Sequence, residues 1–287
     1  MAIKGLLIIG EAINDSIPST RKLYDAGDMG GILGLARMQD EGGADYIDVN
    51  VGRRPPSQMA DVVRRVQDVT SKPLSIDTPD AELAKAGLGA YDPARAGGKA
   101  PVLNSISPMR KEMLGLLGIR RFMPVLLVSE RAEGGGFKPN RTAEDTFATA
   151  REMLTAARRS GLGNEQCIID PGIAPIGGDL EGNLKRLLGA LRMIRDDSEF
   201  GGVHVSVGLS NFTHMLPAKR AGGSPVRSAL ESAFLTLAMP FGLDMVIGSV
   251  KRKYELLPPD HPAMACIRDV LSLEGYDAVE RVMEFYN

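Results

Sequence analysis

The chain has 287 residues, 44% hydrophobic and 24% charged, enough apolar material for a full core. Lys and Arg total 34 against 36 Asp and Glu, a formal net charge of −2, so no global positive field is available to hold nucleic acid or an anionic membrane. No apolar stretch reaches the ~20 residues of a membrane helix, and Met1–Gly10 lacks the charged start, apolar centre and cleavage site of a signal peptide, so a cytoplasmic protein is expected.

Short apolar runs then alternate with longer stretches of helical period along the chain. A strand is expected at Leu6–Gly10, followed by a helix at Met29–Gly42. Tyr46–Asn50 leads into Pro56–Ser71, Leu74–Asp77 into Ala81–Ala90, and Pro101–Asn104 into Met109–Leu117. Phe122–Val128 precedes Ala143–Arg159, Cys167–Asp170 precedes Asp179–Arg195, and Val203–Gly208 precedes Pro225–Phe241. The last strand, Asp244–Gly248, is followed by a helical stretch from Pro262 to Tyr286, broken near Gly275. Eight βα units without a linker predict a closed (β/α)8 TIM barrel, an α/β fold in which residues 1–287 form one domain.

The strands exit into polar residues: Glu11, Asp48 with Asn50, Asp77, Asn104, Glu130, Asp170, Asn211 and Ser249. Strands must leave a core through something polar, which accounts for any one of these but not easily for carboxylates and amides at nearly all of them. In a barrel of this kind the carboxyl ends of the strands carry the active site. A ring of Asp48, Asp77, Asp170, Asn50, Asn104 and Asn211, without Lys or His, is poorly suited to Schiff-base or imidazole chemistry. It suits a flat polar heterocycle, whose N–H groups carboxylates accept and whose mixed edges amides match. A magnesium site made from the aspartates is the rival reading, since hard cations take oxygen ligands. Two distant cysteines and three histidines argue against zinc or a disulfide scaffold, and no resident metal is expected.

The strings Ile9-Gly10-Glu11-Ala12-Ile13-Asn14, Ile47-Asp48-Val49-Asn50-Val51-Gly52, Ser75-Ile76-Asp77-Thr78, Leu103-Asn104-Ser105, Ile169-Asp170-Pro171 and Gly208-Leu209-Ser210-Asn211 occur in this order. Together they resemble the pterin-binding methyltransferase family, which includes methyltetrahydrofolate:corrinoid methyltransferases and the folate domain of cobalamin-dependent methionine synthase. The resemblance spans nearly the whole chain; each string is weak alone and the ordered set is specific. It implies a homodimeric TIM-barrel enzyme that exchanges a methyl group between N5 of tetrahydrofolate and the cobalt of a corrinoid (cobalamin) carried by a separate protein. It further implies that Asp77, Asn104 and Asp170 bind the pterin and that Asn211 hydrogen-bonds the reacting nitrogen. Glu11, Asp48, Asn50, Gly208, Ser210 and His214 complete the expected substrate-binding set.

The chain looks more like the stand-alone partners of methylotrophic or demethylating systems, in which a methylcorrinoid donates to tetrahydrofolate. His214 departs from the Gln or other neutral polar residue of the corrinoid/iron–sulfur branch, and no Asp-x-His-x-x-Gly corrinoid motif occurs. Dihydropteroate synthase is the alternative, on the strength of Asp170-Pro171-Gly172. Its anion-binding motif is replaced here by Gly208-Leu209-Ser210-Asn211-Phe212-Thr213-His214, which removes leaving-group stabilisation. A pterin binder without turnover is the non-enzymatic alternative.

Other features have plainer readings. Arg131–Pro139 is glycine-rich but lacks the Gly-Lys-Ser/Thr ending of a nucleotide loop, and a mobile lid is expected. Cys167, Cys266 and His204 fit the interior. Arg53-Arg54, Lys219-Arg220 and Lys251-Arg252-Lys253 fall after strands that a closed barrel brings near one another, which suggests a basic arc on the rim.

Overall fold

The protein is described over residues 3–287 in a computed structural model. Its strands are β1 (Leu7–Asn14), β2 (Tyr46–Asn50), β3 (Leu74–Asp77), β4 (Val102–Ile106), β5 (Met123–Leu127), β6 (Glu130–Glu133), β7 (Gly136–Pro139), β8 (Ile168–Asp170), β9 (His204–Gly208) and β10 (Met245–Gly248). Eight of them close a barrel in the cyclic order β1-β2-β3-β4-β5-β8-β9-β10, every pair parallel. The expected (β/α)8 TIM barrel is therefore present.

The helices are α1 (Pro18–Asp25), α2 (Met29–Glu41), α3 (Pro56–Gln67), α4 (Ala81–Ala90), α5 (Ala143–Arg159), α6 (Asn183–Asp196), α7 (Leu209–Phe212), α8 (Arg227–Ala238), α9 (Pro262–Ser272) and α10 (Gly275–Tyr286). Side-chain caps set several starts: Asp28 accepts from Gly31 N, Asp80 from Glu82 N and Leu83 N, and Thr142 from Asp145 N. Each such cap is worth ~1 kcal/mol.

Side chains alternate along each strand, so every barrel strand faces the helices with one set and the barrel axis with the other. The outward set, with Ile47, Val49, Ile76, Leu103, Leu126, Ile169 and Val207, packs on the helices as the main core. The inward set forms a second core of Ile9, Val102, Val125, Ile168 and Met245, flanked by Leu7, Tyr46, Met123 and Ile247. Towards the carboxyl ends the inward set turns polar.

Four expectations need correction. Met109–Leu117 lies in a 3-10 stretch, Pro108–Gly118, with non-helical backbone at Arg110. Arg131–Pro139, expected as a lid, falls in a two-stranded antiparallel hairpin, β6 with β7. Arg131 braces it, donating to Pro139 O and Asn140 Oδ1 at 3.2 Å each and pairing with Glu133 at 2.7 Å. Helix α1 was not foreseen. Strand β1 runs four residues further than Gly10, through a register shift between Gly10 and Ile13. The buried Gln39 sustains that extension, accepting from Ala12 N at 2.7 Å. A Cβ at Gly10 would lie 2.6 Å from Gln39 Oε1, so the glycine admits the amide.

Candidate functional site

A cavity of about 1220 Å³ opens at the carboxyl ends of the strands. Alternation along the strands brings Glu11, Asp77, Asn104, Asp170 and Gly208 to its floor and walls, while α7 and the turn after it supply Ser210, Asn211 and His214. A second opening of about 850 Å³ shares Asn14, Asp77 and Asn211 with it and adds Asn50. All but one of the expected residues therefore meet at the mouth. The exception is Asp48, which is fully buried and lines neither space. It sits one inward position below Asn50 on β2, in register with Ser75.

Hydrogen bonds orient the carboxylates. Asp77 Oδ2 accepts from Asn50 Nδ2 at 2.9 Å and from Asn14 Nδ2 at 3.3 Å. Asp170 Oδ1 accepts from Gly172 N at 2.8 Å and its Oδ2 from Ser206 Oγ at 3.4 Å. Ser210 donates to Glu11, tying the elbow after β9 to β1. The amides of Asn104 and Asn211 bond to no other group among the described residues, although both line the cavity. A Cβ on Gly208 would fall 2.8 Å from Asn211 Nδ2, so the amide is folded over the strand end in space that only glycine leaves open.

Burial dominates the electrostatics, because a carboxylate removed from water loses its hydration. It pushes the Asp170 carboxyl up to about 6, against the opposing Gly172 N–H, Ser206 hydroxyl and Arg186 charge. It raises Glu11 in spite of Ser210 and Arg252, and Asp77 in spite of its bonds to Asn50, Asp48 and Asn14. Asp48 is raised well above the carboxylate range by burial and then by the Asp77 charge.

Four arginines reach the cavity, and each is engaged by the protein. Arg186 on α6 donates to Pro171 O at 2.8 Å, Gly172 O at 2.8 Å and Thr146 Oγ1 at 3.0 Å, clamping the turn that carries Asp170. Arg252 pairs with the buried Glu231, Arg141 with Glu181, and Arg227 donates to Leu216 O at 2.6 Å. Part of the basic arc is engaged too. Arg54 is held by Asp15 and Asp25, Lys253 lies 3.4 Å from Glu255, and Arg220 stacks on Phe285 at 4.2 Å. Among the described residues no group of three or more His, Cys, Asp or Glu side chains stands at metal-binding geometry. His204 sits at the amino end of β9, its Nδ1 2.6 Å from Asp244 Oδ2.

Asn14 and Arg186 belong to the site and were not foreseen. Asn14 lies beyond the register shift of β1, though the apolar Ile9 and Ile13 bracketing Glu11 were a visible sign that the strand continues. Arg186 lies in a helical stretch where a cation reads as solvated, and nothing in its neighbours signals otherwise.

A family model described as pterin binding enzyme matches residues 15–248. A methylcorrinoid:tetrahydrofolate methyltransferase of Eubacterium limosum is 29% identical over 249 residues, 84% of each chain. Among solved structures, a Yersinia pestis dihydropteroate synthase with a pterine-sulfa conjugate matches at TM-score 0.59 and 16% identity over 93% of each chain. The Xanthomonas albilineans dihydropteroate synthase in complex with 7,8-dihydropteroate matches at TM-score 0.53 and 18% identity, over 95% of this chain and 96% of that one. Likeness at such identities is one of fold. No helix among the described residues is long and apolar enough to cross a membrane.

Proposed function

This chain belongs to the pterin-binding enzyme family, and from that premise we propose that it is a methyltransferase moving a methyl group from the cobalt of a corrinoid protein to N5 of tetrahydrofolate. The methylcorrinoid:tetrahydrofolate methyltransferase relative supports the direction. The observation that carries the reaction class is the free Asn211 amide, held over Gly208 at the rim of a cavity floored by Asp77, Asn104 and Asp170. In this reading the two aspartates accept from the donor edge of the pterin, Asn104 serves a mixed edge, and Glu11, Asn50, Gly208, Ser210 and His214 complete the contacts. The ring then lies flat across the mouth, with N5 towards Asn211.

Transfer forms a bond from the N5 lone pair to the methyl carbon, while the cobalt–carbon pair stays with the corrinoid and the proton of the resulting ammonium passes to solvent water at the open mouth. The Asn211 carboxamide oxygen accepts from N5–H, which fixes the direction of the lone pair. In the reverse sense the methyl leaves a protonated N5, and the same oxygen accepts from the same N–H. A contact that strengthens as charge changes on N5 lowers the barrier selectively. Displacement of pyrophosphate by the synthase-type reaction draws on cations near the leaving group, and two of the four arginines at the mouth, Arg252 and Arg141, are already paired with carboxylates.

The test is transfer from a methylated corrinoid protein to tetrahydrofolate, followed by cobalt absorbance. Asn211→Ala should lower the rate by roughly tenfold to a thousandfold, given ~1.5–4 kcal/mol for such a contact. A wild-type rate in that variant would refute its role, and dihydropteroate formation by the wild type would move the reading to the synthase.

A further inference from the structure

We propose that Asp48 is a positioning residue that holds a proton and donates it to Asp77, leaving Asp77 as the anion of the pair and, beside Asp170, an acceptor for the donor edge of the pterin. The inference rests on the pterin reading for its consequence but not for its chemistry. Asp48 is fully buried, and neither of its oxygens finds a donor while both carboxyls are ionised; the Ser75 hydroxyl beside it is also without a partner. A buried ion in that condition is costly, and the group neutralises instead. Asp48 is in register with Ser75, and Asp77 is the next inward residue of β3, so the two carboxyls are diagonal neighbours on the interior face and one proton between them serves both.

The partners of each decide which carboxyl keeps it. Asp77 Oδ2 already receives two amide N–H groups, from Asn50 at 2.9 Å and Asn14 at 3.3 Å, and these stabilise its anion. Asp48 receives no amide donor. The ionisable and polar groups that act on it are Asp77 and Ser75 from β3, Glu11 from β1 and Tyr24 from α1. None is a cation, and two are carboxyls, so every neighbour that carries charge favours the neutral form. Burial and the Asp77 charge push Asp48 in the same direction. The Ser75 hydroxyl is the one neighbour that opposes this, and burial outweighs it.

Two measurements test this. Carbon-13 NMR of protein labelled at the aspartate carboxyls, without ligand, should show a carboxyl resonance at the protonated position from pH 6 to 8 that disappears in Asp48→Asn. Calorimetry with tetrahydrofolate should then show Asp48→Ala and Asp77→Asn each weakened about tenfold or more, with Asp48→Asn restoring most of the loss through its amide N–H. Absence of the protonated resonance, or an Asp48→Asn loss as large as that of Asp77→Asn, would mean that Asp48 acts as an anion and would overturn the proposal. Should Asp48→Ala fail to fold, the resonance and the Asp48→Asn titration still decide. A wild type that does not bind tetrahydrofolate would defeat the ligand reading, while the NMR result would still settle the proton.

Discussion

Asp170→Asn should strengthen the fold while weakening the site. Burial lifts this carboxyl from an ordinary 3.8 to about 6. At about 1.4 kcal/mol per pH unit, the folded carboxylate is then disfavoured by about 3 kcal/mol at neutral pH. The sign follows from the raised value. The cost is absent below pH 3.8, grows between there and 6, and is complete above. Asparagine keeps the shape, still accepts from Gly172 N and can donate to Ser206, so the main change is removal of the buried charge.

Urea unfolding of both proteins should find the variant more stable by up to about 3 kcal/mol at pH 7 and by about 0.5 kcal/mol at pH 4. Tetrahydrofolate binding should fall about tenfold to a hundredfold in the variant at pH 7, since hydrogen bonds to a charged acceptor are worth ~1.5–3 kcal/mol. Binding to the wild type should fade as the pH drops below about 6. Equal stabilities at pH 7, or a gap that stays constant down to pH 4, would show that the carboxylate is compensated in place and would refute the burial argument.

Two further outcomes are expected. Gly208→Ala should leave the unfolding midpoint nearly unchanged yet slow methyl transfer about tenfold, because the new Cβ displaces the Asn211 amide and small misplacements are expensive in rate; an unaltered rate would show that this approach does not set the amide. Asp244 raises the pKa of His204, so their pair stabilises the fold fully below pH 6.5 and loses its contribution as pH rises through the raised value. The stability lost in Asp244→Asn should accordingly be larger at pH 5.5 than at pH 9, and a loss independent of pH would place the effect in the Val205 N–H bond alone.

The barrel was legible because its evidence is local and repeated: eight apolar runs, each ending in polar residues, with helical periods between. Ala81–Ala90 and Ala143–Arg159 carry clear starts in Asp80 and Thr142, and their expected bounds hold. Asp77, Asn104, Asp170 and Asn211 were legible as strand-end residues, and closure brings them to one cavity. Features that depend on distant partners were not. The extension of β1 needs Gln39, 27 residues away, and the clamp on the Asp170 turn needs Arg186 on the following helix. Helix α1 offers few apolar positions, burying only Thr20 and Tyr24, so its period is faint. Asp48 has the same sequence signature as Asp77, and only the register with Ser75 separates the layer beneath the mouth from the mouth itself.

That layering grades the barrel along its axis. At depth the interior is Ile9, Val102, Val125, Ile168 and Met245, none of which lines the cavity; two positions higher the same strands present groups that do. Tolerance to redesign is therefore directional. Volume-conserving exchanges among the deep residues are free to raise stability without disturbing affinity, since the polar storey between them and the mouth hangs from strand registers and not from their shapes. The converse does not hold. Filling the upper storey with apolar side chains would harden the protein and silence it together.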